Sequence, residues 1–136
     1  MQCPAAKIVE GQGGQVDVAM FDVMMSQLNY LAGASLNAAE PARRHANSSH
    51  PYIVPAQLFR ASDGWVMLFI THDEFWRKFC TEAGRPAWLA DERFSTMAAR
   101  TRNRDVVLGA IAELIATDSA ARWVARLAPL GIVVSC

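Results

Sequence analysis

Two apolar runs joined by a short polar turn constrain this chain more than any other feature. Gln57-Leu58-Phe59-Arg60 and Trp65-Val66-Met67-Leu68-Phe69-Ile70 are both β-prone, and Ala61-Ser62-Asp63-Gly64 lies between them. Asp-Gly at that place supplies a residue that tolerates positive φ in a tight turn, so the segment predicts an antiparallel hairpin. The second strand is apolar on both faces and is expected at the centre of a sheet, covered on each side.

Helical signals follow. Thr71-His72-Asp73-Glu74 reads as a capping box, in which the Thr71 hydroxyl accepts from the Glu74 amide and the Glu74 carboxylate reaches back to Thr71. The helix it opens should bury Phe75, Phe79, Cys80 and Ala83, and Gly84 followed by Pro86 should stop it. Trp88, Leu89 and Phe94 fall in a loop. Asn103 is expected to cap a helix with Val107, Ala110, Ile111 and Leu114 on one face, and Asp118 another bearing Trp123, Val124 and Leu127. Leu130 to Cys136 has the composition of a buried strand.

Upstream of the hairpin, Gln15 to Ala19 alternates like a strand, and Met20 to Leu31 has helical spacing that would bury Met20, Val23 or Met24, Leu28 and Leu31. One short strand cannot stand alone, and the next begins only at Gln57, so this βα unit is expected to belong to a sheet formed elsewhere. Ala32 to Ala56 shows neither period and reads as a long irregular crossing segment. An orphan strand at one end and an apolar strand at the other give the expectation of a piece of a longer protein.

Composition excludes several classes. With 52% apolar residues and a formal net charge of +0, the sequence fits a globular domain and suggests neither a disordered tail nor a nucleic-acid surface. No apolar run approaches the about 20 residues needed to cross a bilayer, and the start, MQCPAAKIVEGQ, has no signal-peptide pattern, so a cytoplasmic location is expected. Cys3, Cys80 and Cys136 are too scattered for a zinc site or a disulfide framework. Asn47-Ser48-Ser49 matches a glycosylation sequon that has no meaning without export. Gly11-Gln12-Gly13-Gly14 lacks the spacing of a phosphate loop and reads as a plain turn.

An ordered series of short motifs carries a family resemblance. Gly13-Gly14-Gln15-Val16-Asp17-Val18-Ala19-Met20-Phe21-Asp22, then Asn47 with His50-Pro51, Pro55, Asp63-Gly64, Phe75, Leu89, Asp91, Arg93-Phe94 and Arg102-Asn103-Arg104 stand in this order. Together they resemble the class III CoA-transferase and α-methylacyl-CoA racemase superfamily over most of residues 11 to 134.

The resemblance implies an α/β protein of two domains, whose chains interlock as a homodimer. This chain would be an α+β fragment of it. Residues 1–32 would be a βα arm of the large CoA-binding domain, 33–56 a linker with the active-site loop, and 57–136 a small α/β domain with a short antiparallel sheet and amphipathic helices. It also implies acyl-CoA and a carboxylic acid as substrates, with no tightly bound cofactor. Transferases of the family attack the thioester with an aspartate, a group that serves as both nucleophile and leaving group. Racemases use a His and an Asp as an acid/base pair. Both sets lie N-terminal to everything matched here, so Asp17 and Asp22 are not carried over as nucleophiles and the chain alone is expected to be inactive. The alternatives are a fragment of an α-methylacyl-CoA racemase, and a non-catalytic interaction module or non-functional truncated product.

The substrate-binding candidates are Asn47, His50, Pro51, Tyr52 and His72. The first four lie in a segment that resembles the family's Gly-Asn…His-Pro loop, with Ala46 where Gly is frequent, which puts close backbone approach in question. His72 sits between an apolar strand and a helix start whose amides favour an anion. Arg43 and Arg44 could meet phosphate or carboxylate, or form a solvated patch. Arg100, Arg102 and Arg104 would fall near a helix start, a poor place for positive charge unless Asp91, Glu92 or Asp105 is close.

Overall fold

The structure, a computed structural model, describes residues 17–39, 41 and 43–136. The chain divides into two compact units, Met1–Arg44 and His45–Cys136.

In the first unit, helix α1 spans Met20–Gln27 and helix α2 spans Asn29–Ala38, so regular structure extends into the segment read from sequence as irregular. The strand expected over 15–19 lies partly outside the described residues, and Asp17, Val18 and Ala19 adopt no strand. The helical face expected to be buried is not: Met20, Val23, Met24 and Leu28 are exposed and Leu31 is half-buried. A helical stripe is buried only where another apolar surface opposes it, and the described residues of this unit supply none.

The second unit holds a three-stranded antiparallel sheet of order β1-β2-β3, with β1 at Ala56–Arg60, β2 at Trp65–Phe69 and β3 at Val133–Ser135. Ala56 faces Phe69 and Arg60 faces Trp65 across the hairpin, while Leu68 faces Val134 on the other side. Strand β2 is central as its composition predicts, yet only Val66 and Leu68 of it are fully buried, with Trp65 exposed and Met67 and Phe69 half-buried. Strand β3 is a short edge strand whose Val133 is exposed, so the expected buried strand is realised only at Ile132. The hairpin connection closes through Ala61 N–H to Gly64 O, without positive φ at Gly64. It is held against the next layer because Ser62 N–H donates to Asp118 O and Ala120 N–H to the Asp63 carboxylate.

Helix α3 spans Asp73–Glu82, and its C-terminus closes as the Gly84 signal foretells. Gly84, at φ 67°, donates to Thr81 O, and Arg85 N–H donates to Cys80 O, the paired bonds of a Schellman motif. Its buried residues are Trp76, Phe79 and Cys80, with Phe75 at the margin. A 3-10 turn at Pro86–Leu89 and a short helix α4 at Met97–Arg102, capped by the Thr96 hydroxyl accepting from Ala99 N–H, occupy the stretch read as loop. Helix α5 spans Arg104–Ile115 and helix α6 Ala120–Leu127. Asn103 is the residue before α5 but gives no side-chain cap, while Ser119, one position after the expected Asp118, caps α6 by accepting from Arg122 N–H.

One apolar core unites these elements. Val54, Phe59, Val66, Leu68 and Ile70 from the sheet side meet Trp76, Phe79, Ile111, Ile115, Trp123 and Leu127 from the helices. Trp76, Trp88 and Phe94 stack within it, with centroid separations of 5.2 to 6.4 Å.

Candidate functional site

The His50 loop is built by hydrogen bonds that its own sequence supplies. Ala46–Ser48 forms a 3-10 turn in which Asn47 and Ser48 take φ of 54° and 56°, and Ser49 N–H donates to Ala46 O at 3.0 Å. The left-handed backbone therefore falls at Asn47, a residue type that tolerates it, and at Ser48, and not at Ala46, so alanine at position 46 carries no conformational penalty. His50 N–H donates to Ala56 O at 2.8 Å and joins the loop to the start of β1. Past Pro51, the amides of Tyr52 and Ile53 each reach His50 Nδ1 at 3.1 Å. The imidazole meets the rings of Tyr52 and Phe69 edge-on, at centroid distances of 6.2 and 6.3 Å.

His72 stands at the same end of the hairpin, where β2 leads into α3. It occupies the N-cap position with extended backbone and gives no side-chain cap. The capping box expected over Thr71–Glu74 does not form: Thr71 Oγ1 lies 2.7 Å from His72 Nδ1, and Glu74 pairs with Lys78 at 3.2 Å. The helix begins one residue later than the box requires, so the two side chains are drawn to nearer partners. The His72 ring packs edge-on to Phe75 at 6.2 Å.

Two arginines that the sequence marked as badly placed hold this region together. Arg100 is fully buried and donates from Nε to Val54 O at 2.9 Å, from Nη1 to Phe94 O at 3.0 Å and from Nη2 to Asp73 Oδ1 at 2.8 Å. It thereby connects the segment after His50 with the residue after His72. Burial lowers its pKa, offset in part by the Asp73 carboxylate, and its ordinary value is so high that the charge persists. Arg104 donates to Ser49 Oγ and to the carbonyls of His50 and Pro51 at 2.8, 2.8 and 2.6 Å. The expected acidic partners are engaged elsewhere or absent: Asp91 pairs with Arg93 at 2.7 Å, and that guanidinium holds its carboxyl below the usual carboxylate range.

Asn47, His50, Pro51 and Tyr52 thus form one turn, with His72 at the same end of the sheet. Arg43, Arg44, Asp17 and Asp22 are exposed residues of the other unit, and Gly11 to Gly14 lie outside the described residues. Among the described residues, no group of three His, Cys, Asp or Glu could hold a metal ion, and no helix is long and apolar enough to cross a membrane. An open groove of about 590 Å³ between Gly84–Trp88 and α5 contains none of the candidate residues. Sequence reasoning missed the positioning role of Arg100 and Arg104, although Arg102-Asn103-Arg104 was among the motifs it marked.

The family model for CoA-transferase family III matches residues 5–136. The chain belongs to that family. Relatives of this CoA-transferase family III chain include the acetyl-CoA:oxalate CoA-transferase of Acetobacter aceti, 29% identical over 91% of this chain and 32% of that protein. The succinyl-CoA:mesaconate CoA-transferase of Haloarcula hispanica is 33% identical over 79% of this chain and 26% of that protein. A crystal structure of a CAIB/BAIF family protein from Brucella suis superposes with a TM-score of 0.71 at 29% identity, covering 97% of this chain and 35% of that one. The family III chain therefore spans between about a quarter and about a third of the length of these relatives. Its mixture of helices with a small antiparallel sheet is the α+β arrangement that the resemblance implied.

Proposed function

We propose that this chain supplies the small domain and the substrate-facing loop of an acyl-CoA:carboxylate CoA-transferase. In such an enzyme a carboxylate of the protein attacks the thioester and expels CoA thiolate, leaving a mixed anhydride. The thiolate attacks the enzyme's own acyl carbon, releases the donor acid and forms an enzyme–CoA thioester, and the acceptor carboxylate reverses both steps to leave with CoA and regenerate the enzyme carboxylate. The role of this chain is to bind and orient the acyl-CoA and the carboxylic acid, through Asn47, His50, Pro51, Tyr52 and His72. The attacking carboxylate is not among its residues, so the chain by itself is inactive, and the working form is a homodimer.

One observation carries the reading: the His50-Pro51 turn is clamped by three hydrogen bonds from Arg104, in a chain that the family model matches from residue 5 to 136. Relatives whose names specify oxalate and mesaconate as CoA acceptors support a dicarboxylate or another small acid as the partner.

The test is isotope exchange. A protein carrying this chain within the full family length is given acetyl-CoA or succinyl-CoA with a panel of carboxylic acids, and new thioesters are followed by mass spectrometry. CoA transfer without exchange of the proton next to the thioester carbonyl is expected. Proton exchange without CoA transfer would replace this reading with racemase chemistry, and transfer by the 136-residue chain itself would remove its inactivity.

A further inference from the structure

Arg104 brings a charge to the candidate turn that no carboxylate neutralises. It stands half-buried at the first position of α5, and its acceptors are all neutral: Ser49 Oγ at 2.8 Å, His50 O at 2.8 Å and Pro51 O at 2.6 Å. Among the described residues the ion pairs of the side chains belong to Lys78, Arg93, Arg100, Arg122 and Arg126, and none to Arg104. A guanidinium held by neutral groups polarises them and keeps its charge. Two of its acceptors are carbonyls, which can only accept.

Ser49 differs from them, because a hydroxyl has a proton to give as well as lone pairs to receive. Arg104 Nη1 occupies a lone pair of Ser49 Oγ. Guanidinium has no acceptor, so the hydroxyl proton must turn away from Arg104. Among the described residues no acceptor receives that proton. The residue itself is held in place: its backbone is extended, at φ −66° and ψ 133°, and its amide donates to Ala46 O at 3.0 Å. Half-buried between Asn47 and His50, Ser49 thus offers one outward donor with a cation behind it, and a hydroxyl polarised in this way gives a stronger hydrogen bond to an anion than an ordinary serine does.

We propose that Ser49 is a specificity-determining residue of the turn, whose hydroxyl, polarised by Arg104, donates to one carboxylate oxygen of the acceptor acid. The acid as occupant rests on the CoA-transferase reading. The outward donor and its dependence on Arg104 rest on the geometry. The arrangement suits an acid that must act as a nucleophile. Direct pairing with guanidinium engages both carboxylate oxygens, whereas a single hydroxyl engages one and leaves the other to attack a thioester carbonyl. Arg104 is then a positioning residue, which acts on the acid only through Ser49.

The experiment uses a full-length protein that carries this chain, with acetyl-CoA at saturation and oxalate as the varied acceptor. Ser49→Ala should raise the KM for oxalate about tenfold and move the KM for acetyl-CoA by less than about twofold. Ser49→Thr keeps the hydroxyl and should recover most of the loss. Arg104→Gln should raise the KM for oxalate in the parent protein and by clearly less in the Ser49→Ala protein, where the polarised group is gone. An equal factor in both backgrounds would reduce Arg104 to holding the turn and overturn its part. An oxalate KM in Ser49→Ala within about twofold of the parent overturns the proposal, and so does a Ser49→Thr protein that melts like the parent yet fails as Ser49→Ala does. If the full-length protein transfers no CoA, the transferase reading falls and calorimetric binding of oxalate judges Ser49 instead. Binding that weakens in Ser49→Ala keeps the site, and no binding, or binding indifferent to that change, overturns it.

Discussion

The Arg100 guanidinium lies 4.7 Å from the centroid of the Trp76 ring, with both side chains fully buried. A buried cation is tolerated only when it is paired and hydrogen-bonded, and here the ring face, two backbone carbonyls and the Asp73 carboxylate share that task. Arg100→Met should lower unfolding free energy by about 3 kcal/mol, because it strands the Val54 and Phe94 carbonyls in the core. Urea unfolding measures this, and a loss below about 1 kcal/mol would mean that the carbonyls find other donors.

Asp73 is half exposed, so its share in that cluster is small by comparison. Asp73→Asn should cost about 1 kcal/mol or less, since solvent screens the pair and the amide oxygen still accepts from Arg100. A cost equal to that of Arg100→Met would show that the ion pair, and not carbonyl satisfaction, dominates.

How far the sequence revealed these relationships depends on the range of the interaction. The hairpin and the end of α3 were legible because each is closed by neighbours: Ala61 with Gly64, and Gly84 and Arg85 with the last turn of the helix. The start of α3 was misread by one residue, since Thr71 and Glu74 had closer partners in His72 and Lys78 than in each other. Phe75 was expected in the core where Trp76 is, because helical spacing alone does not fix which of two adjacent aromatic residues faces the sheet. The turn at Asn47–Tyr52 could be found from its motif. Its clamp could not, because Arg104 meets residues more than fifty positions away, and a charge at a helix start suggests acidic partners before it suggests carbonyls.

His50 links stability to pH. Its folded pKa is lowered by burial first and by Arg104 and His45 after that, so the unfolded chain binds the proton more readily than the folded one. Its contribution is fully present above the unfolded value of 6.5 and is lost as pH falls through the lower folded value. Stability followed by denaturant titration at stepped pH should therefore decline on acidification below 6.5, and His50→Gln should flatten that part of the curve. A curve of unchanged slope in the variant would assign the decline to other groups.

Cys80 is fully buried, and burial pushes its thiol up to about 12, whereas Cys136 is exposed. The thiolate is the reactive form, so Cys80 should resist iodoacetamide in the folded chain and react once the chain is unfolded in urea. Peptide mapping after timed alkylation distinguishes the two sites. Equal labelling of Cys80 and Cys136 under native conditions would show that the core opens on the timescale of the reaction.

All the residues of the apolar core, from Val54 to Ile132, belong to the second unit, and so do the sheet, both arginine clusters and the His50 turn. A domain folds alone when its own burial offsets the entropy of ordering its chain, and this unit contains stacked Trp76, Trp88 and Phe94 together with Trp123, whose indole N–H donates to Ile115 O. Residues 45–136 expressed alone should therefore unfold in one cooperative transition and keep the near-ultraviolet circular dichroism of packed tryptophans. Retained helix with no near-ultraviolet signal and a broad melt would mean that the core needs residues 1–44 or further chain to close.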